Sequence, residues 1–489
     1  MNWSLLAPEY VLAGWAGMVV LLDLFWGGLR KDQLAYVAAA GALASALTAL
    51  IWVDDDTNFA GLIDINDYTA LFRVFFGLIG AFVCVASARF VKERLLHAGE
   101  YYGLILLSVL GANMMAAASE LLTAYISLEL LSFSLYVLAS YAKFDLRSNE
   151  GGLKYMLLGA FSSAIFLYGI SMIYGVTGST DFGEIAAALS GDTSDFGMAM
   201  FLGLVLIIAG LGFKVAAVPF HMWTPDAYEG APLPITALIA AISKAAGFAL
   251  FLKLFAQAFI PLVDDWRVFI AVLSAATMAL GNLVAIQQHN IKRLLAYSSI
   301  GQVGYLMMGI AALTPDNADA ASALVLHLVG YVITNLAAFV CVIIYYNWTG
   351  KEEIKDFAGA RTRAPFLTYA LSISLFSLAG MPLFAGFATK FILFQAAANQ
   401  DLLWLAGVAV FFSFVSLYYY LVVIKEMFLE DPEEPTSFPV PWAEYAALSL
   451  LVAGVLVVGL YPQPVFDVAE DAAVAVAAAP ASGSVAEPP

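Results

Sequence analysis

The chain has 489 residues, of which 62% are hydrophobic and 12% charged, with a formal net charge of −17 and a mean hydropathy of +0.87. This composition excludes a soluble domain and predicts an all-α polytopic membrane protein folded as one helical bundle. Its negative charge sits mostly in loops and the tail, which argues against nucleic acid, a partner that needs clustered Lys and Arg.

The N-terminal Met1-Asn-Trp-Ser lacks a basic stretch and Glu9 interrupts the first apolar run, so that run is expected to be a retained helix rather than a cleaved signal. Runs of about 18 or more apolar residues predict fourteen transmembrane helices, at 5–26, 34–53, 70–89, 101–119, 121–142, 152–176, 198–220, 233–259, 267–286, 294–313, 321–347, 364–396, 401–424 and 441–462. The segment 364–396 is long enough to imply a break, and Gly380-Met-Pro382 supplies one. Helix 7 has its own Gly/Pro interruption, five helices earlier. Five is odd, so the two broken helices would be inverted relative to each other, as in many ion transporters.

Connections that follow odd-numbered helices carry Arg30 and Lys31, Lys92 and Arg94, Lys143 and Arg147, Lys292 and Arg293, Lys351 to Arg363, and Lys425. The alternate connections are acidic, as in Asp54-Asp-Asp and Asp181 to Asp195, with Arg267 their clear cation. The positive-inside rule then places the odd loops in the cytoplasm and both termini outside. The stretch after Tyr461 is low in complexity and is expected to be disordered.

Cys84 and Cys341 cannot hold an iron–sulfur cluster, and His97, His221, His289 and His327 have no paired spacing for haem or zinc. No Walker or dinucleotide fingerprint is present. No cofactor is expected on this chain. What remains is a set of ionisable residues inside apolar helices, which are costly there and face a wet or polar interior. Glu129 lies mid-way along helix 5, Lys214 in helix 7, Lys244 beside Ser243 and small residues in helix 8, and Lys390 after the break in helix 12. Buried amines can trade protons near neutral pH, so a row of them makes a proton wire. His327 in helix 11 fits either a relay or a satisfied core histidine. Lys154, Lys253 and Lys425 stand near helix ends, where snorkelling is expected. Arg73 and Glu120 read as interfacial, His221 and Asp226 as loop structure, and Tyr418-Tyr-Tyr as belt or packing.

The strings Pro219-Phe-His-Met-Trp-Thr-Pro-Asp-Ala-Tyr-Glu-Gly-Ala-Pro, Ala241-Ile-Ser-Lys-Ala, Gly152-Leu-Lys-Tyr-Met-Leu-Leu-Gly-Ala-Phe-Ser-Ser and Leu294-Leu-Ala-Tyr-Ser-Ser-Ile-Gly carry a resemblance. The chain is similar, over about residues 65–430, to the proton-translocating, antiporter-like membrane subunits of complex I, the bacterial NADH:quinone oxidoreductase. The resemblance implies three N-terminal helices (1–95), two inverted five-helix repeats (96–262 and 263–430), and a last helix with a flexible acidic tail (431–489). It implies a proton relay in which Glu129 pairs with Lys214, Lys244 is the central carrier and Lys390 the terminal one, with His327 as a further candidate. In helix 12 the family divides between lysine and glutamate, and Lys390 matches the lysine branch. At Gln302 the family often has histidine, and an amide does not titrate. The resemblance further implies a bacterial cytoplasmic (inner) membrane, the bilayer and other membrane-arm subunits as partners, sister antiporter-like subunits among them, and FMN, iron–sulfur clusters and quinone held by partner subunits. A subunit of a multisubunit cation/proton antiporter, or of a hydrogenase- or ferredoxin-driven pump, is the alternative.

Overall fold

A computed structural model of the chain describes residues 2–25, 31–53, 55–191, 197–315, 317–432 and 437–477. The helices are α1 (Ala7–Phe25), α2 (Lys31–Ala49), α3 (Asp67–Arg94), α4 (Ala98–Ala117), α5 (Leu121–Ala139), α6 (Leu146–Thr177) and the short α7 (Phe182–Leu189). There follow α8 (Gly197–Val215), α9 (Trp223–Gly230), α10 (Leu233–Leu238), α11 (Lys244–Gln257), α12 (Val263–Ala285), α13 (Ile291–Ala311) and α14 (Asp319–Thr349). The chain continues through α15 (Ala360–Arg363), α16 (Pro365–Ala379), α17 (Ala385–Ala398), α18 (Leu403–Leu429), α19 (Trp442–Leu460) and α20 (Gln463–Ala477). Among the described residues, twelve helical segments are long and apolar enough to cross a membrane. The other two predicted spans are α2, diluted by eight alanines, and the pair α16/α17, each too short alone.

The breaks follow from local chemistry. α16 ends on Gly380 in the left-handed region (φ 83°), with the Met381 N–H donating back to Phe376 O at 3.0 Å. Pro382 then stops the helix from resuming. Helix 7, predicted as 198–220, ends at Val215, because Ala216 takes φ 68° and Pro219 follows. Seven residues later α9 begins. Helix 8 contains a wide π turn, Ile239–Ser243, which delivers the chain to Lys244.

The central segments are buried on all sides, α10–α11 and α14 above all, whereas α6, α12 and α18 leave apolar faces outward, with Phe161, Val272 and Phe414 among the exposed side chains. Such faces suit acyl chains, not water.

Three expectations about the fold need correction. The stretch after Tyr461 is not disordered throughout: α20 turns Ala469, Ala472, Ala473 and Val476 inward against α3, α11 and α14. These positions repeat at helical spacing, a periodicity hidden by the alanine-rich composition; residues 478–489 lie outside the described part, as do Arg30 and Asp54. Arg73 is not interfacial. It is buried, with Nε 2.8 Å from Glu9 Oε1, since α1 supplies the counter-charge across the helix interface. Lys253 does not snorkel: it is fully buried, 2.8 Å from Asp64 and 3.0 Å from the Ala117 carbonyl. Asp64 comes from a hairpin, Thr57–Phe59 paired antiparallel with Ile63–Ile65 and turned through Ala60 and Gly61, both at positive φ. Glu120 stands at the end of a spanning helix as the N-cap of α5, accepting from Leu122 N at 2.9 Å. Lys154 and Lys425 keep exposed heads, as expected.

Candidate functional site

Lys214 occupies the last turn of α8, beside the break, and is 3% exposed. Its Nζ donates to Ser132 Oγ at 2.8 Å. Ser132 lies on α5 three residues after Glu129, on the same helix face. The Glu129 Oε1 is buried without a hydrogen-bond partner. The amine therefore rests on the hydroxyl and not on the carboxylate. A small cavity beside it, lined by Ser132, Tyr136, Ser162, Ser163 and Lys214, has room for about one water.

Lys244, fully buried, opens α11 directly after the π turn. Its Nζ donates to Tyr228 Oη at 2.8 Å and lies 5.1 Å from the Tyr228 ring and 5.8 Å from that of Trp223. Trp223 is held by stacking on Tyr155 (4.3 Å between centroids) and by donation to Phe213 O at 3.0 Å. Ser243 Oγ approaches Lys214 O at 3.4 Å. Gly247 permits this closeness, since a Cβ there would stand 2.8 Å from Val215 and 3.4 Å from the Lys214 side chain. The first two lysines thus sit on directly packed helices.

Lys390, 3% exposed, donates to Leu378 O at 2.8 Å and lies 4.5 Å from the Tyr305 ring. In an uninterrupted helix that carbonyl would bond to the N–H four residues on, but Pro382 has none. The helix break therefore creates the acceptor that holds the amine. Gln302 Nε2 donates to the same oxygen at 2.9 Å. His327 Nδ1 stands 3.0 Å from Thr389 Oγ1, whose own hydrogen goes to Ala385 O at 2.9 Å. That assigns the hydrogen of a neutral ring to Nδ1 and leaves Nε2, buried and unpartnered, as an open acceptor. Ser299, one turn before Gln302 on α13, lies 2.7 Å from the hydroxyl of Tyr331, one turn after His327 on α14, and Asn335 lies 3.3 Å from that hydroxyl.

Other buried cations behave differently. Arg73, Lys253 and Lys292 each touch a carboxylate at 2.8 Å. Among the described residues no carboxylate lies within 4.0 Å of the Lys214, Lys244 or Lys390 amine. Neutral partners can serve either protonation state of an amine, whereas losing the proton from an ion pair strands a carboxylate. Sequence reasoning reached the lysines but missed Ser132, Tyr228, Thr389 and Tyr305; of these, Tyr228 lies within the Thr-Pro-Asp-Ala-Tyr string.

Asp226 is no mere loop residue. It lies 2.8 Å from Lys154 and 3.1 Å from Arg293. Partial burial alone would raise its carboxyl, but these two cations together hold it below the usual aspartate range. A depressed carboxylate contributes stability that is full above its unfolded value and lost as pH falls through the lower folded one. The difference in Tm between wild type and Asp226→Asn is expected to stay constant from about pH 8 to about pH 5 and to shrink below about pH 4.

Fold and buried amines together define an antiporter-like membrane subunit. Residues 118–416 match the family described as NADH:quinone oxidoreductase/Mrp antiporter, transmembrane. NADH-quinone oxidoreductase subunit N of Dehalococcoides mccartyi is 40% identical over 480 residues, 96% of this chain and 99% of the relative. A chain of Thermus thermophilus respiratory complex I, solved with bound aureothin, superposes with a TM-score of 0.78 at 29% identity, over 94% of this chain and 98% of that one. A chain of the Mrp complex of Dietzia sp. shares the fold, with a TM-score of 0.86 at 21% identity over 98% of both chains. The chain belongs to this family, in its NADH-quinone oxidoreductase subunit N branch.

Proposed function

We propose that this chain is a proton-translocating membrane subunit of respiratory complex I, coupling NADH-to-quinone electron transfer in partner subunits to proton movement through its own buried amines. The observation that carries the proposal is the division among buried cations: Lys214, Lys244 and Lys390 rest on neutral hydroxyl and carbonyl partners, the others on carboxylates. FMN, iron–sulfur clusters and quinone are assigned to partner subunits, and this chain to the non-redox role. Its neighbours would be other membrane-arm subunits, sister antiporter-like chains included.

In this reading Glu129 is the switch. When the neighbouring subunit shifts α5, the Lys214 amine exchanges Ser132 for the carboxylate or returns, and its hold on the proton changes with the charge beside it. The proton released passes to Lys244, then by way of the Ser299–Tyr331 hydroxyls and His327 to Lys390. The loop charges support an inner-membrane chain with both termini outside, three N-terminal helices to residue 95, and inverted repeats over 96–262 and 263–430.

The likeness to an Mrp chain supports a second reading, a cation/proton antiporter without electron-transfer partners. Affinity purification of the native complex through a tag on this chain separates the two. Co-purifying flavin, iron–sulfur subunits and NADH–quinone activity support the proposal. A complex of membrane subunits alone, lacking flavin, would reject it.

A further inference from the structure

The broken end of helix 7 is gripped by charges that no step above uses. Arg293 Nη1, in the first turn of α13, lies 2.7 Å from Glu229 and 3.1 Å from Asp226, both on α9. Its neighbour Lys292 donates to the Glu229 carbonyl at 2.5 Å and pairs with Glu352 at 2.8 Å. From the other side Lys154 holds Asp226. α9 is eight residues long and cut off from α8 by the break at 216–222, so its own hydrogen bonds do little to fix it. It is also seated tightly on the start of α6: a Cβ at Gly230 would stand 2.4 Å from Arg147 O, and one at Gly151 2.8 Å from Asp226 O.

α9 has two working faces. Asp226 and Glu229 are three residues apart and share one; Tyr228, about 100° from Glu229 and 200° from Asp226, lies on the other. The acidic face meets Arg293 and the aromatic face meets Lys244, with Tyr228 Oη 2.8 Å from its Nζ.

We propose that Arg293 is a positioning residue for the proton relay: by clamping Asp226 and Glu229 it orients α9 so that the Tyr228 hydroxyl holds the Lys244 amine in line. This rests on the relay reading given above. It ties the charge state of the α9 clamp, at the surface of the bundle, to the geometry of a fully buried lysine. A guanidinium suits the task because one fork can address two carboxylates at once.

The test is the rate of proton translocation by the purified complex in proteoliposomes, with NADH oxidation followed in parallel and assembly checked by subunit content. Arg293→Gln and the double variant Asp226→Asn/Glu229→Gln are each expected to lower the flux by about tenfold, as small misplacements in a proton path do. Combining them is expected to lower it no further, and Arg293→Lys to recover part of the loss, which a generic packing role would not produce. Wild-type flux in Arg293→Gln, or losses that multiply in the combination, would overturn the proposal. Should Arg293→Gln fail to assemble, Tyr228→Phe decides: it removes a single hydroxyl, and wild-type flux in it also overturns the proposal. Lys244→Met runs alongside. Normal flux there would reject the relay itself, whereas loss of flux in Lys244→Met beside wild-type flux in Tyr228→Phe would reject only the positioning role.

Discussion

Lys244→Met is expected to abolish proton pumping through this chain, lowering its flux by about a hundredfold or more, while the complex still assembles. Methionine keeps much of the stem that fills the space between Trp223 and Tyr228 but carries no exchangeable proton. In the proposed relay Lys244 on α11 hands the proton from Lys214 on α8 towards Lys390 on α17, so its loss would interrupt the path. Lys244→Arg is expected to fail as well: a guanidinium stays protonated at any working pH, so it cannot release what it receives. Proton uptake by proteoliposomes, with NADH oxidation followed in parallel, checks both variants. A tightly coupled machine should slow its electron transfer together with its pumping.

Arg73→Met is expected to cost about 3–5 kcal/mol of stability, because it strands Glu9 as an unpaired charge between α1 and α3. The pair is deep and geometrically close, yet Glu9 Oε2 and both Arg73 Nη atoms lack hydrogen-bond partners, so the pair itself contributes little beyond mutual neutralisation. Replacing both residues, as Glu9→Leu with Arg73→Met, should therefore recover most of the loss. Thermal unfolding of the detergent-solubilised protein across this double-mutant cycle checks the prediction. Proton flux per assembled complex should stay near wild type throughout, since neither residue touches the lysines.

The contrast between these two cations shows what could be read from the sequence alone. Lys214, Lys244 and Lys390 were legible because a lysine within an apolar run, beside glycine or proline, violates the pattern around it. The break in helix 12 was legible for the same local reason, Gly380-Met-Pro382. Partners were not. Arg73 finds Glu9 across 64 positions and Lys253 finds Asp64 across 189, and no local pattern foretells which helices will meet. Lys253 was therefore read as snorkelling when a hairpin strand supplies its counter-ion. The Ser132 contact of Lys214 was likewise hidden: Glu129 is the obvious partner for an amine, but the rotation of α5 presents the hydroxyl one turn away. The acceptor for Lys390 follows from a rule that needs no structure, that Pro382 must orphan the Leu378 carbonyl; what the sequence lacks is the fold of α17 back onto that oxygen. α20 was missed because alanine-rich composition outweighed its periodicity.

The central claim is that protons cross the membrane through this chain by way of its unpaired amines. It is tested most directly by comparing wild type with Lys214→Ala in sealed vesicles, recording proton translocation and NADH–quinone turnover together. Loss of translocation with slowed turnover is the predicted result, since Lys214 is the amine held by Ser132, one turn of α5 from Glu129. Normal translocation at normal turnover would contradict the account and leave this chain a structural member of its complex.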